Sequence, residues 1–299
     1  MKKDTLLTAL PFLLPNLLGF FLFTLGPVAV SLGMAFTDWD LTRNNALSGV
    51  PISWVGIDNF KRLLSGAEAV PFWHYLGNTL FLMLGLPVSI VGSLVLALCL
   101  DRHAPLRTFF RTVYYLPSIT AGVALLLLWK ALLRPEGGLV NQVLHAVGLP
   151  EPAWLASVVW AKPALMLITI WGAIGGSNMI LFLAGLSQIP EELREAAVID
   201  GANGWQRFRH VTWPQLAPVT FFIVILSMIG GLQGGFEQAQ ILTQGGPAGS
   251  TTTLSYFIYQ KGFQEFQLGL ASAIAWVLFL IVFSCTALQW KFGNPSPDA

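Results

Sequence analysis

Long stretches of this chain carry no Asp, Glu, Lys or Arg, and that constrains its fold more than any other feature. Thr5–Thr37 runs 33 residues without a charge, Tyr75–Leu100 runs 26, Pro163–Pro190 runs 28, Pro214–Gln233 runs 20 and Phe266–Trp290 runs 25; a sixth run, Thr112–Trp129, has 18. A helix crosses the hydrocarbon core of a bilayer in about 20 residues. The runs do not alternate polar with apolar residues, and lipid admits only helices or closed barrels. The expected fold is therefore an all-α integral membrane protein with six transmembrane helices. The spans fall at about 12–36, 75–100, 109–130, 163–187, 214–236 and 266–290, inside a membrane domain covering 5–292. Only 10% of the residues are charged, against roughly 25% in soluble domains.

The N-terminal run is too long for the h-region of a signal peptide and is not followed by a small-x-small cleavage site. It reads as a retained anchor and first helix, with Pro11, Pro15 and Pro27 as bends or an interfacial lead-in. Six spans put both termini on one side. That side holds Lys2, Lys3, Arg102, Arg107, Arg111, Arg194, Arg207, Arg209 and Lys291. The other holds Arg43, Lys61, Arg62, Lys130, Arg134, Lys162 and Lys261. Nine against seven is a weak bias, but Asp101–Arg111 packs three arginines into eleven residues. Short loops weigh most in the positive-inside rule, so residues 1–4, the loop 187–214 and the tail 293–299 are placed in the cytoplasm. The outer loops, rich in Gly, Pro and Trp, are then 38–72, 130–162 and about 234–265. Trp39, Trp54, Trp73, Trp129, Trp154 and Trp160 fit an interfacial aromatic belt.

Several chemistries are not indicated. There is no Walker A sequence, and Gly172–Ser177 and Gly230–Gly235 lack the strand and acidic residue of a dinucleotide site. Their spacings, Gly172 to Gly176 and Gly231 to Gly235, read as small-xxx-small helix packing. His74, His103, His145 and His210 are scattered, so no metal site is expected. Cys99 and Cys285 fall in apolar runs and read as small packing residues. A net charge of +1 argues against a nucleic-acid partner. No cofactor and no catalytic group is assigned. The span cores contain no charged residue, whereas ion-coupled carriers commonly keep an intramembrane carboxylate. The energy for any transport is therefore expected from outside the chain.

The most charged stretch of the C-terminal half lies between the fourth and fifth runs. Pro190 suits N1 of a helix whose first turn carries Glu191 and Glu192. Leu193, Ala196 and Ala197 share a face, and Gly201 can end the helix in the left-handed region. Asn203 can cap a second short helix with Gln206 at the capping-box position, and Pro214 is expected to end it. From local physics alone, the result is either an amphipathic interfacial hairpin or a docking element with a small alanine face.

Glu195-Ala196-Ala197, Asp200-Gly201-Ala202, Phe208, Val211 and Pro214 resemble the EAA loop of ABC-importer permeases. Trp213 stands where that family usually has Leu, and Val211 where it often has Ile. The wider match resembles the carbohydrate-importer permeases related to the maltose and glycerol-phosphate systems. It runs through Asn78-Thr79, Tyr115-Leu116-Pro117, Trp171-Gly172, Asn178-Met179, Leu183–Leu186, Gly245-Gly246-Pro247, Thr251–Leu254 and Gly269–Ala273, and covers about Pro15 to Trp290. The resemblance implies the type I ABC importer permease fold in a bacterial inner membrane. It implies that the chain is not itself an enzyme. The implied partners are a second homologous permease, two cytoplasmic ATPase subunits that hydrolyse ATP, an extracytoplasmic solute-binding protein, a sugar substrate and membrane lipid.

The resemblance assigns Glu195, Ala196, Ala197, Asp200, Gly201 and Ala202 to contact with the ATPase, or to shaping that contact. A sugar path needs polar groups near the bilayer middle. The candidates are Ser177 and Asn178 in the fourth span and Gln233, Glu237, Gln238 and Gln240 in or after the fifth; each has packing or loop capping as its alternative role. A permease for another solute (polyamine, phosphate or amino acid) is a second reading, against which the long third outer loop and Gly245-Gly246-Pro247 argue. A membrane scaffold with a docking hairpin is a third.

Overall fold

The computed structural model describes residues 3–101, 106–120 and 122–293, with side chains from Pro11 onward. Met1, Lys2, Arg102, His103 and the tail beyond Gly293, all used in the orientation or site arguments above, lie outside the described residues. The helices are α1 (Lys3–Phe20), α2 (Gly26–Ala35), α3 (Asp58–Leu64), α4 (Ala69–Met83), α5 (Gly85–Cys99), α6 (Arg107–Ile119), α7 (Gly122–Leu132), α8 (Leu139–Ala146), α9 (Ala161–Ala173) and α10 (Ser177–Ser187). They continue with α11 (Glu191–Ile199), α12 (Gly204–Arg207), α13 (Trp213–Gln233), α14 (Phe236–Gln238), α15 (Leu254–Tyr259) and α16 (Leu268–Gly293). Among the described residues the only β pairing is one bridge between Thr37 and Trp54.

Five stretches are long and apolar enough to cross a bilayer: Pro11–Ala35, Ala69–Cys99, Ala161–Ser187, Gly204–Thr243 and Leu268–Gly293. The run expected as the third span is divided between α6 and α7, and the pair makes a sixth span if it crosses as one unit. Pro117 inside α6 removes one backbone donor just before the division.

Two compact units are distinguished. In the first, residues 1–73 with 257–279, the fold is secured by polar contacts between distant parts of the chain. Asp38 accepts from the Ser53 amide at 2.7 Å and the Ser53 hydroxyl at 2.8 Å, and pairs with Arg43 at 3.0 Å. These contacts, the Ser53 amide foremost, hold its pKa below the usual value against a smaller opposing effect of burial. The buried Asn59 donates to the Ala35 and Thr37 carbonyls at 3.0 and 2.8 Å. Gly269 passes so close to the Thr37 carbonyl that a Cβ there would collide with it. Lys261 is buried between Glu68, at 3.0 Å, and Glu265, at 2.8 Å. Burial lowers the Lys261 pKa, but hydrogen bonds to the two carboxylates outweigh it and hold the value above that of free lysine.

The second unit, residues 74–256 with 280–293, holds two apolar cores. One packs Leu94, Ala97 and Leu100 against Met179, Phe182 and Leu186, and against Leu216 and Ile223 of α13. The other packs Leu126 and Leu133 against Ala164, Leu165, Ile168 and Leu242. Close approach is achieved by glycines. Gly85 faces Ile170 and Met166, Gly185 faces Leu216 and Val219, and Gly231 faces Met83 and Leu86. Gly231 thus fills the packing role expected of it. Gly172 does not, since a Cβ there would meet nothing within 4 Å.

The Trp154 indole donates to Asn141 at 2.7 Å, and its ring packs on the second core. One other expectation changes. Cys99 faces outward rather than into a packed interior, and both cysteines are free thiols.

Candidate functional site

The hairpin between α10 and α13 is built by its own residues. Pro190 occupies the N-cap of α11 rather than N1, with ψ 136°. The chain leaves α10 in a tight turn, with the Ile189 amide bonding the Leu186 carbonyl at 3.4 Å, and one extended residue is needed to redirect it. Glu191 and Glu192 fill the first turn of α11.

At the other end Gly201 has φ +75°. Its amide bonds the Val198 carbonyl at 3.0 Å, and the Ala202 amide bonds the Ala197 carbonyl at 2.9 Å. Those two bonds are the Schellman termination, with Asp200 as C-cap. The Asn203 side chain then accepts from the Gln206 amide at 2.9 Å, while the Gln206 side chain accepts from the Asn203 amide at 2.8 Å. The capping box expected from the sequence is complete.

Pro214 does not end this second helix. A π turn over Phe208–Thr212 joins α12 to α13, and the Trp213 amide bonds the Phe208 carbonyl. The wider turn accommodates a ring that would clash in a regular α-helix and a residue that has no amide donor.

The hairpin surface is open. No residue of α11 is buried, and Val198 and Ile199 are 55% and 85% exposed. Glu195, Ala196, Asp200 and Gly201 are exposed, and Ala197 and Ala202 half-buried. Arg194 fastens α11 to the membrane helices. Arg194 pairs with Asp101, just beyond α5, at 3.0 Å and donates to the Leu186 carbonyl at 2.8 Å. Beside this pair lies a largely apolar groove of about 680 Å³ between α5 (Val91, Val95, Leu98) and Trp205, Phe208 and Val211. Sequence reasoning missed the Asp101–Arg194 pair, which joins residues 93 positions apart. The available signal was Asp101 standing directly after an uncharged run.

The substrate-path candidates are arranged around two helix breaks. The fourth span is not continuous: α9 ends at Ala173, Gly175 has φ +92°, and α10 begins at Ser177. A Cβ on Gly175 would press on Tyr114. The Ser93 hydroxyl donates to the Ala173 carbonyl at 3.2 Å, satisfying one group freed by the break. The fifth span breaks at Gly234 and Gly235, where Gly235 has φ +81°, and the Ser255 hydroxyl caps the Gln233 carbonyl at 2.6 Å. Non-helical backbone inside a span is tolerated where it lines a cavity or is buried in protein: Gly234 and Gly235 line cavities, whereas Gly175 is packed against Tyr114.

One cavity, about 340 Å³, is lined by Thr79, Ser89, Thr169, Asn178, Ser227, Gln238 and Thr253 among apolar side chains. The other, about 580 Å³, is lined by Gly122, Thr169, Gly172, Gln233, Glu237 and Gln238. The Gln238 amide nitrogen donates to the Thr169 hydroxyl at 3.0 Å, and both residues border both cavities. Four of the six candidates are therefore brought together: Asn178, Gln233, Glu237 and Gln238. Ser177 and Gln240 line neither cavity. The sequence reading did not count Thr79, Ser89, Thr169 and Ser227, hydroxyls inside apolar runs, or Thr253, at the end of Ser250–Thr253, among the path residues.

Comparison with known proteins accords with this arrangement. Residues 85–290 match the family described as "Binding-protein-dependent transport system inner membrane component". The probable ABC transporter permease protein YesP of Bacillus subtilis (strain 168) is 35% identical over 98% of this chain and 92% of its own length. The lactose transport system permease protein LacF of Rhizobium radiobacter is 36% identical over 88% of this chain and 90% of its own. A chain in the crystal structure of a bacterial alginate ABC transporter, in complex with its alginate pentasaccharide-bound periplasmic protein, superposes with a TM-score of 0.82. It is 26% identical, covering 98% of this chain and 95% of that one. On these grounds, together with its all-helical architecture, the chain belongs to the inner-membrane permease components of binding-protein-dependent ABC transport systems.

Proposed function

We propose that this chain is one of two permease subunits of a bacterial ABC importer for a sugar or sugar derivative. It forms half of the translocation pathway and performs no covalent chemistry. A second, similar permease supplies the other half, two ATPase subunits dock from the cytoplasm, and an extracytoplasmic binding protein delivers the substrate. Both termini and the loop 187–214 face the cytoplasm. Glu195, Ala196, Ala197, Asp200, Gly201 and Ala202 form or shape the ATPase contact. Asn178, Gln233, Glu237 and Gln238 line the substrate path.

The observation that carries this reading is the hairpin. It is capped on both sides of its Gly201 turn and buries nothing in α11, yet it presents Ala196, Val198 and Ile199 on an otherwise charged surface. Such a surface suits a groove on a soluble partner better than isolation in water. The Arg194–Asp101 contact gives a push on that surface a route to the end of α5. Alternation of access then follows if ATPase closure favours one of two arrangements of the pathway helices.

The test is reconstitution of this chain with the second permease, the ATPase and the binding protein in proteoliposomes. Uptake should require ATP inside and binding protein outside. A chain that assembles with no ATPase would be a scaffold and not a permease.

A further inference from the structure

Resting on the sugar reading above, we infer that this half of the pathway selects uncharged sugars against acidic ones, with Glu237 as the determinant. The two cavities offer a ligand hydroxyls and carboxamides from Thr79, Ser89, Thr169, Asn178, Ser227 and Gln238. Such groups both donate to and accept from sugar hydroxyls. Among the described residues that line the two cavities there is no Lys, Arg or His, and the single charged group is the Glu237 carboxylate.

Its placement is specific. Gly122 lies across from Glu237, and a Cβ built on Gly122 would stand 3.0 Å from the Glu237 Oε2, so glycine there leaves the carboxylate room. The nearest cation on α7, Lys130, stands eight residues beyond Gly122 and lines neither cavity. Its ammonium is engaged by the Ile241 carbonyl at 2.7 Å.

A carboxylate accepts hydrogen bonds from a neutral sugar without penalty. A uronate or a phosphorylated sugar brings a second negative charge. At about 6 Å, and at the effective dielectric of a protein site, that repulsion lowers occupancy roughly 100-fold. A solved transporter of this fold is involved in the import of the acidic polysaccharide alginate, so the fold itself does not exclude acidic cargo, and discrimination within the pathway falls to the residues that line it.

The experiment takes the complete importer with its binding protein. Neutral oligosaccharides, uronate oligosaccharides and sugar phosphates are screened against the binding protein by calorimetry, and the binders are assayed for ATP-dependent uptake. The expected result is uptake of a neutral oligosaccharide at least 100-fold faster than of any uronate or phosphate. Preferred uptake of an acidic sugar would overturn the inference while leaving the sugar reading intact. Binding of none of the three classes would instead remove the sugar reading, and this inference with it.

Two variants test the residue itself. Glu237→Gln keeps the shape but removes the charge, and should raise uptake of an acidic sugar relative to the neutral one at least tenfold, whereas Glu237→Ala should lower neutral uptake about tenfold. Wild-type uptake in Glu237→Ala would show that the carboxylate does not meet the substrate, and would also overturn the inference.

Discussion

The hairpin and the cavities are both functional candidates, but they are made by opposite means. The hydrogen bonds that cap the hairpin's Gly201 turn close within five residues, as in Ala202 to Ala197 and Asn203 to Gln206. The cavity walls are joined across the chain: Thr169 to Gln238 spans 69 positions, Asn78 to the Gly249 carbonyl 171, and the Leu254 amide to Thr79 175. A locally built element depends on a few irreplaceable positions. A wall assembled from several helices shares its work among many side chains. Single substitutions should therefore be severe in the hairpin and graded in the cavity.

The largest effect is expected at Gly201. Nothing lies within 4 Å of a Cβ there, so a substitution is penalised by the φ of +75° and not by a clash. A β-branched residue in that region costs about 1–3 kcal/mol, enough to undo the Schellman turn and misdirect the second helix. Gly201→Val should lower uptake more than tenfold while ATP hydrolysis persists, and Gly201→Asn, which tolerates the left-handed region, should retain most of it. Wild-type uptake and sugar-stimulated hydrolysis in the Val variant would break the comparison at its stronger end.

The same contrast explains what could be read from the sequence. Five of the six uncharged runs coincide with helical stretches long and apolar enough to cross a bilayer, because a bilayer demands length and apolarity and little else. The caps at Gly201 and at Asn203 with Gln206 were legible because capping is a relation between near neighbours. Continuity was not legible. Pro214 looked like a stop, but the π turn over Phe208–Thr212 absorbs it. Gly172–Gly176 looked like a packing stripe, but residues 174–176 break the span. Gln238 was a candidate on polarity alone, while its partner Thr169 was invisible, since a threonine in an apolar run commonly bonds its own preceding turn. Thr169 also does that, to the Leu165 carbonyl at 2.9 Å.

A long-range contact of the hairpin gives the next effect. Arg194 and Asp101 have side chains 24% and 23% exposed, so their pair is neither a weak surface bridge nor a fully buried one. Losing it is worth about 1–2 kcal/mol after allowing for solvent screening. Arg194→Ala should lower sugar transported per ATP about fivefold without changing the amount of assembled complex. The double variant Asp101→Arg with Arg194→Asp should recover part of that ratio. A swap no better than the single change would show that the Leu186 carbonyl bond, and not the ion pair, holds α11.

In the cavity, the sharpest single test is Asn178→Ala. Asn178 stands on the second residue of α10, directly after the break, half-buried at the cavity wall. If it serves a sugar hydroxyl, its loss removes one hydrogen bond among several. The expected outcome is a KM for uptake raised about three- to tenfold, with assembly intact. If it serves helix packing, the yield of paired permeases in detergent falls instead. Normal uptake in a normally assembled variant would remove Asn178 from the site.

The smallest expected effect is none, and it bears on what the cavity carboxylate is for. From the sequence, the span cores carry no Asp or Glu, which argues for an external energy source. The structure complicates that argument by bringing Glu237 to a cavity wall beyond the fifth-span break, because a carboxylate in a transport pathway is the kind of group that couples proton entry to solute entry. The two uses make opposite demands. A coupling group must change protonation in every cycle, so its work vanishes with the proton gradient. A selectivity group acts by its charge, and the cycle is driven by ATP at hairpin residues 195–202, 35 or more positions away in sequence. Proteoliposomes loaded with ATP and treated with a protonophore separate them. Uptake should continue at an unchanged rate after the gradient collapses. A decline in step with the gradient would assign Glu237 to proton coupling and remove the hairpin from its place as the point where energy enters.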